Sequence, residues 1–197
     1  MRVLIVEDQP ADAELCLYEL KKVGFRPQAD IARDLDEFER CLKMQTYDVI
    51  LCDHNLGMNS GMDCLNALKQ AGHSTPFILV SGSVGEEAAV EYVHQGASDF
   101  ILKDRLVRLS VAIRRAVEEK VLREERRRAE ATLRLQTKAL ETTANAVVIT
   151  DREGRITWVN PAFTRLTGYA AAEVLGQTPR FLKSGKHEAA FYRSMWE

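Results

Sequence analysis

The sequence predicts an α/β protein whose first part, up to about residue 103, is a doubly wound five-stranded parallel sheet. Short apolar runs bounded by turn residues alternate with stretches of helical periodicity, a pattern typical of strands joined by crossover helices. Runs such as Val49-Ile50-Leu51-Cys52 are apolar at every position, as expected for strands buried on both faces. A hydrophobic content of 46% in 197 residues is enough to build such a core.

Five strands and four helices are predicted in alternation. The strands are expected at about 2–6, 28–32, 49–52, 76–80 and 99–102, with helices between them at about 10–23, 34–44, 61–71 and 86–95. Gly24, Gly72 and Gly96 stand just after three of the helices, where a glycine commonly ends a helix. Because a helix separates each pair of consecutive strands, we expect all five strands to run parallel.

Polar side chains stand at the carboxyl ends of four of these strands. They are Glu7 and Asp8 after the first strand, Asp53 after the third, Ser81 after the fourth and Lys103 after the fifth. The carboxyl ends of parallel strands lie along one edge of the sheet, so these side chains should converge on one cleft.

A cleft with this composition suits phosphoryl transfer. Three carboxylates repel one another unless a cation lies among them, and oxygen ligands favour Mg²⁺ over zinc. Asp53 can act as a nucleophile toward phosphorus, with Lys103 neutralising charge and Ser81 donating a hydrogen bond. Each residue alone has an ordinary structural explanation, such as a solvated lysine or a turn aspartate, but the matched set indicates this chemistry.

The segments VLIVEDQPAD, VILCDHNLGMNSG, ILVSGSVGEEAAV and GASDFILKD resemble the receiver domain of two-component response regulators, over about residues 1–120. The resemblance implies a flavodoxin-like fold, Asp53 as phospho-acceptor and a histidine kinase as partner. It also implies Mg²⁺ bound by Asp8, Asp53 and the main-chain carbonyl of Asn55, with Glu7 as the other member of the acidic pair.

The same resemblance implies that Lys103 contacts the phosphate, that Ser81 is the switch hydroxyl and that Phe100 is the aromatic switch residue. Two positions depart from the family pattern. Gly57 stands where proline is common, which predicts a more mobile loop after the phospho-acceptor. Asp104 also replaces a common proline, so the next helix is expected to begin at once, with Asp104 as its cap.

A long connector helix is predicted at 104–141, because this segment contains neither proline nor glycine and is rich in good helix formers. Leu122, Ala129, Leu133 and Leu140 recur at coiled-coil spacing in a register shifted from that of the preceding apolar stripe. We expect a parallel two-stranded coiled coil and therefore a homodimer, with a single solvated helix as the alternative. The arginines at 126–128 are interleaved with glutamates, which indicates a solvated face and not a nucleic-acid contact.

The last segment, 142–197, resembles the first half of a PAS domain in the stretch VVITDREGRITWVNPAFTRLTGYAAAEVLG. A hairpin is predicted around Gly154, followed by a short helix from Pro161 and a further amphipathic helix at 187–196. GQTPRFL resembles the helix of flavin-binding light sensors, but Pro179 stands where their reactive cysteine is expected, so photoadduct chemistry is excluded. The PAS ligand stays open. Because the strands that complete a PAS sheet are not in the sequence, we expect a fragment of a longer protein.

Composition excludes several classes of function. A formal net charge of −2 gives no general electrostatic affinity for nucleic acid or anionic membranes. No apolar run is long enough for a membrane span, and the N-terminus shows no signal-peptide pattern. The four cysteines show no C-x-x-C pairing, as expected of reduced thiols in a cytoplasmic protein.

The function hypothesis is phosphorelay signalling, in which phosphorylated Asp53 acts through a dimeric helix on the PAS segment and a C-terminal effector. One alternative is a dimerisation scaffold that no longer signals. Another is the regulatory half of a diguanylate cyclase, a cyclic-di-GMP phosphodiesterase or a hybrid histidine kinase. No effector motif in the sequence decides among these enzymes.

Overall fold

A five-stranded parallel sheet organises the first part of the chain in the computed structural model, which describes residues 1–82 and 86–183. The strands are β1 (Arg2–Val6), β2 (Gln28–Ala32), β3 (Val49–Cys52), β4 (Phe77–Ser81) and β5 (Asp99–Leu102). Their order across the sheet is β2-β1-β3-β4-β5, with every pair parallel. The predicted doubly wound sheet is therefore confirmed.

Four helices connect these strands. They are α1 (Pro10–Lys22), α2 (Leu35–Met44), α3 (Gly61–Gln70) and α4 (Glu86–His94). The Asp34 side chain caps α2 by accepting from the Glu37 amide, and Ser60 and Asp63 form a capping box at the start of α3. Capping residues in the local sequence thus fix where two of the helices begin.

The sheet is buried on both faces, as its continuous apolar strands predict. One cluster on the sheet includes Leu4, Ile50 and Leu79, and another includes Val3, Leu51 and Ile78. Because side chains alternate across a strand, each strand contributes to both clusters. On α1, Ala13, Cys16 and Leu20 are buried, whereas the apolar side chains of Leu15 and Tyr18 are exposed.

The connector does not begin as an α-helix at Asp104. Residues Lys103–Arg108 form a 3₁₀ helix in which Arg105 has non-helical φ and ψ of −124° and 30°, and α5 (Leu109–Thr142) follows. Asp104 lies within this 3₁₀ segment instead of capping the helix. The tighter turn buries Leu106 in the same core as Leu109 and Ile113 of α5. Packing against the sheet therefore begins before the α-helix does.

The region after α5 contains an antiparallel pair, β6 (Val148–Thr150) and β7 (Ile156–Val159). Two short helices follow, α6 (Pro161–Thr167) and α7 (Ala171–Val174), and then a 3₁₀ turn at Pro179–Leu182. The core of this region is small and comprises buried Ile156, Val159, Phe163 and Val174. The helix predicted at 187–196 lies outside the described residues.

The chain divides into two compact units, with the boundary between Arg126 and Arg127. This boundary falls inside α5, and the predicted domain limits of 1–120, 104–141 and 142–197 stay predictions. None of the helices in the described parts of the chain is both long enough and apolar enough to cross a membrane.

Candidate functional site

Lys103 lies at the centre of the candidate site, at the carboxyl edge of the sheet. Its Nζ atom is 2.8 Å from Glu7 Oε2, 2.5 Å from Asp12 Oδ2 and 3.1 Å from Asp53 Oδ2. Glu7 and Asp53 directly follow β1 and β3, and Asp12 lies in the first turn of α1; the parallel topology brings the two strand ends together. Residues 50 to 96 positions apart in sequence therefore share one ammonium group.

The charges in this site shift one another's pKa. Burial alone disfavours the charged ammonium of Lys103, but hydrogen bonds to Asp12, Glu7 and Asp53 outweigh burial and raise its pKa above the ordinary value. Burial raises the pKa of Glu7 above its ordinary 4.5, although the hydrogen bond from Lys103 opposes that shift. Lys103 therefore stays charged at neutral pH.

A carboxylate cluster of Glu7, Asp8 and Asp53 adjoins this lysine. One ligand oxygen from each residue lies within 4.8 Å of the others. Oxygen donors from three carboxylates at this spacing match the ligand preference of Mg²⁺. The residues present therefore fit a magnesium ion.

The phospho-acceptor candidate Asp53 is held through its backbone amide and through both oxygens of its carboxylate. Its own amide donates to the Val6 carbonyl at 2.9 Å, and its Oδ1 accepts from the His54 amide at 2.7 Å. Oδ2 contacts Lys103. The side chain is thus oriented by one neutral and one charged donor.

The structure also places the other residues that the sequence singled out. Ser81 is buried at the end of β4, beside Leu102 in register. Phe100 on β5 is half-buried and packs against the apolar cluster that contains Leu79. Asn55 pairs with Ser60 in a short hairpin, where the sequence predicts a loop.

The sequence did not predict the close packing of His54, Tyr92 and Gly61 next to Asp53. The Tyr92 hydroxyl on α4 is 3.0 Å from His54 Nδ1, and Gly61 donates its amide to the His54 carbonyl at 2.8 Å. A Cβ at Gly61 would lie 2.5 Å from the Asp53 carbonyl oxygen and 3.1 Å from the Tyr92 hydroxyl. Only glycine fits there, and the GMNSG sequence after Asp53 was the available signal.

A second missed residue is Asp12. Its place two residues after Pro10 at the start of α1 marks it as a helix-opening residue, and no sequence signal connects it to Lys103. The contact depends on how α1 packs beside the 3₁₀ segment.

In the second unit, Asn160 is a buried amide that joins four backbone groups. Its Oδ1 accepts from the Val147 and Phe163 amides, each at 2.9 Å. Its Nδ2 donates to the Leu140 carbonyl at 3.0 Å and to the Asn145 carbonyl at 2.9 Å. One side chain thus links the last turns of α5 to the hairpin and to the start of α6.

Comparison with known proteins supports both halves of the sequence prediction. The family model for the response regulator receiver domain matches residues 3–114, and that for the PAS fold matches residues 137–197. The cell cycle transcriptional regulator CtrA of Caulobacter vibrioides is 32% identical over 161 residues, which cover 78% of this chain and 67% of that protein. A nitrogen fixation regulatory protein of Klebsiella pneumoniae is 41% identical over 58 residues, 29% of this chain and 12% of that protein.

Among solved structures, the N-terminal domain of a response regulator/sensory box/GGDEF 3-domain protein from Carboxydothermus hydrogenoformans superposes with a TM-score of 0.55. It covers 62% of this chain and 98% of that chain at 21% identity, a level that shows a shared fold. Both predicted resemblances are confirmed: the chain belongs to the response-regulator receiver family, with a PAS fold following the receiver domain.

Proposed function

We propose that a histidine kinase phosphorylates Asp53 and that the receiver domain passes this signal to the PAS segment. The observation that carries the proposal is the contact of Lys103 Nζ with Asp53 Oδ2 at 3.1 Å, beside the Glu7, Asp8 and Asp53 cluster. A nucleophilic carboxylate, a cation and an oxygen ligand set for Mg²⁺ are the components of phosphoryl transfer to aspartate. The membership of the chain in the receiver family supports two-component signalling.

In the proposed reaction, an Asp53 carboxylate oxygen forms a bond to phosphorus while the bond between phosphorus and the donor's leaving group breaks. The His54 amide, 2.7 Å from Oδ1, orients the carboxylate. Lys103 stays charged and neutralises part of the charge on the transferring group. Asp8, Asp53 and the main-chain carbonyl of Asn55 would hold Mg²⁺, which supplies further charge neutralisation when bound.

Ser81 and Phe100 are the proposed switch residues. Ser81 stands next to Lys103 on the neighbouring strand end, since Ser81 pairs with Leu102 in register. A hydrogen bond from the Ser81 hydroxyl to the new phosphoryl group would shift this buried strand end. Phe100 is half-buried on the same pair of strands, so it can follow that shift.

The proposed relay runs through a homodimer formed by α5. Large apolar side chains that lie beyond its buried first turns are exposed, namely Val121, Leu122, Leu133, Leu135 and Leu140. Leu122, Ala129, Leu133 and Leu140 follow coiled-coil spacing, and pairing with a second copy would bury this stripe. Asn160 bonds the Leu140 carbonyl, so a displacement of the helix end would reach the PAS core.

The test is phosphate-affinity gel mobility of the purified protein with acetyl phosphate, with and without Mg²⁺, beside Asp53→Asn. We expect a magnesium-dependent shifted band that the variant lacks. No shift in the wild type, under conditions that label a control receiver, would refute phosphorylation and favour the dimerisation scaffold. Light scattering of the same samples tests the dimer, and Leu122→Glu with Leu133→Glu should give monomers.

A further inference from the structure

The ammonium of Lys103 has no donor left for a phosphoryl group in this structure. An ammonium group carries three N–H bonds, and Nζ contacts three carboxylates, those of Glu7, Asp12 and Asp53. Contact with a phosphoryl oxygen on Asp53 therefore requires that one carboxylate leaves. The three candidates for displacement differ in how much water they already contact.

Asp12 is the carboxylate that can leave at the lowest free-energy cost. Its side chain is 36% exposed, whereas that of Asp53 is 11% exposed and that of Glu7 only 4%. A displaced Glu7 would keep a buried charge without its cation, which is strongly unfavourable. Asp12 lies in the first turn of α1, where water and the positive end of the helix dipole can stabilise its charge.

We propose that Asp12 holds the place of a phosphoryl oxygen on Lys103 and competes with the phosphoryl group for that lysine. The inference rests on the proposed phosphorylation of Asp53. Before transfer, Asp12 draws one Lys103 N–H away from the incoming group and adds a negative charge beside it. After transfer, the phosphoryl oxygen takes that N–H and the Asp12 carboxylate turns to water, from where it can reclaim Lys103 when the phosphoryl group is lost.

Asp12 is thus a positioning residue, which acts on phosphoryl transfer through Lys103. Asp12 should affect the two reactions in opposite directions: it slows phosphorylation and speeds loss of the phosphoryl group. Removing its charge should speed phosphorylation, because Lys103 is released for the donor, and should lengthen the lifetime of the phosphorylated form, because no carboxylate competes for the lysine. A residue that only stabilised the fold would change neither rate in this paired way.

The experiment measures the rate of phosphorylation by acetyl phosphate at saturating Mg²⁺, and the half-life of the phosphorylated form after donor removal, on the full chain. Asp12→Asn is compared with Asp12→Glu, which keeps the charge within reach of Lys103. Glu14→Gln is the matched control, because it removes the same charge from an exposed position on the same helix. Thermal melting of each variant confirms that it is folded.

We expect Asp12→Asn to raise the phosphorylation rate and the half-life each by roughly three- to fivefold, the scale for one partly exposed charge near the reacting group. Asp12→Glu, which keeps the charge, should change both quantities less than Asp12→Asn does, and Glu14→Gln should match the wild type. If Asp12→Asn matches the wild type, or if Glu14→Gln reproduces its effect, the inference is wrong while the proposed function stands. If no variant, including the wild type, is labelled, both are wrong.

Discussion

The two units of this protein each contain a polar side chain with several partners, and the two side chains differ in the kind of partner they bind. Lys103 in the receiver unit is one cation shared by carboxylates of three elements. Asn160 in the second unit is one neutral amide shared by four backbone groups. Backbone partners cannot be exchanged without unfolding, whereas carboxylates can give way to a new anion. The first centre is built to redistribute its contacts, and the second to hold a helix end in place.

The difference also shows in the partners' charges. One partner of Lys103 is the buried carboxylate of Glu7. Burial disfavours its charged form and raises its pKa, so this centre holds an unfavourable charge before any ligand binds. Each hydrogen-bonding atom of the Asn160 amide has partners, and no charge is involved. Substitutions at the two centres should therefore respond differently to metal ions, pH and phosphorylation.

Removal of the cation should have the largest effect on stability. Lys103→Met leaves the carboxylates of Glu7 and Asp53 without their counter-charge and should lower the free energy of unfolding of the receiver unit by about 3 kcal/mol in chelator. Urea unfolding checks this, and added Mg²⁺ should restore part of the loss. Lys43→Met, which breaks an exposed pair with Glu39, should cost less than about 0.5 kcal/mol. Equal losses would contradict the central role of Lys103.

Asn160→Ala should come next, with a loss of about 2–3 kcal/mol in the second unit, because it leaves buried backbone groups without partners. Hydrogen exchange should accelerate in the last turn of α5 and around Val147 and Phe163, and added Mg²⁺ should not restore it. Asn145→Ala is the control, since Asn145 contributes only its backbone carbonyl to this network. Unchanged exchange near Leu140 would show that the Asn160 side chain does not hold the end of α5 in place.

Displacement of the backbone behind Asp53 should reduce phosphorylation without removing any charge. Gly61→Ala forces a Cβ to within 2.5 Å of the Asp53 carbonyl oxygen, so the backbone must shift. We expect the phosphorylation rate with acetyl phosphate to fall roughly tenfold, since small misplacements of a nucleophile are costly. At Gly82 a Cβ would lie 3.8 Å from Lys103 Cδ, an ordinary van der Waals distance, so Gly82→Ala should match the wild type. A normal rate for Gly61→Ala would show that the site tolerates backbone movement.

The smallest expected effect is a pH dependence from Glu7. Because its folded-state pKa is raised above 4.5, the folded protein binds protons more tightly there than the unfolded chain does. Its contribution therefore lowers stability as pH rises from the ordinary glutamate pKa through the raised value. Relative to Glu7→Gln, the wild type in chelator should lose stability over that interval and stay parallel at higher pH. An unchanged difference between the two proteins across this interval would contradict the raised pKa.

Much of the receiver unit could be predicted from the sequence because its signals are local and strong. Apolar runs such as 49–52 define the strands, and parallel topology then brings Glu7, Asp53 and Lys103 to one edge. The contact of Asp12 with Lys103 could not be predicted, since it depends on helix packing at a distance of 91 residues. The 3₁₀ start of the connector was missed for the same reason, because packing of Leu106 overrides the helix propensity of the segment.

Asn160 illustrates a different limit of prediction from sequence. The sequence Asn160-Pro161 predicts the start of a helix, and Asn160 does cap α6 by accepting from the Phe163 amide. Its bonds to Leu140 and Asn145 reach residues 20 and 15 positions earlier in the chain and leave no sequence pattern. A cap can be read locally, whereas a tie between elements needs their three-dimensional arrangement.

The most direct test of the relay is hydrogen exchange of the full chain with and without acetyl phosphate and Mg²⁺, in the wild type and in Asp53→Asn. We expect phosphorylation to change exchange at the carboxyl edge of the receiver sheet, along α5 beyond Ala116 and at the backbone groups bonded to Asn160. Asp53→Asn should show none of these changes. Changes confined to residues before Ala116 in the phosphorylated wild type would contradict a relay through the helix.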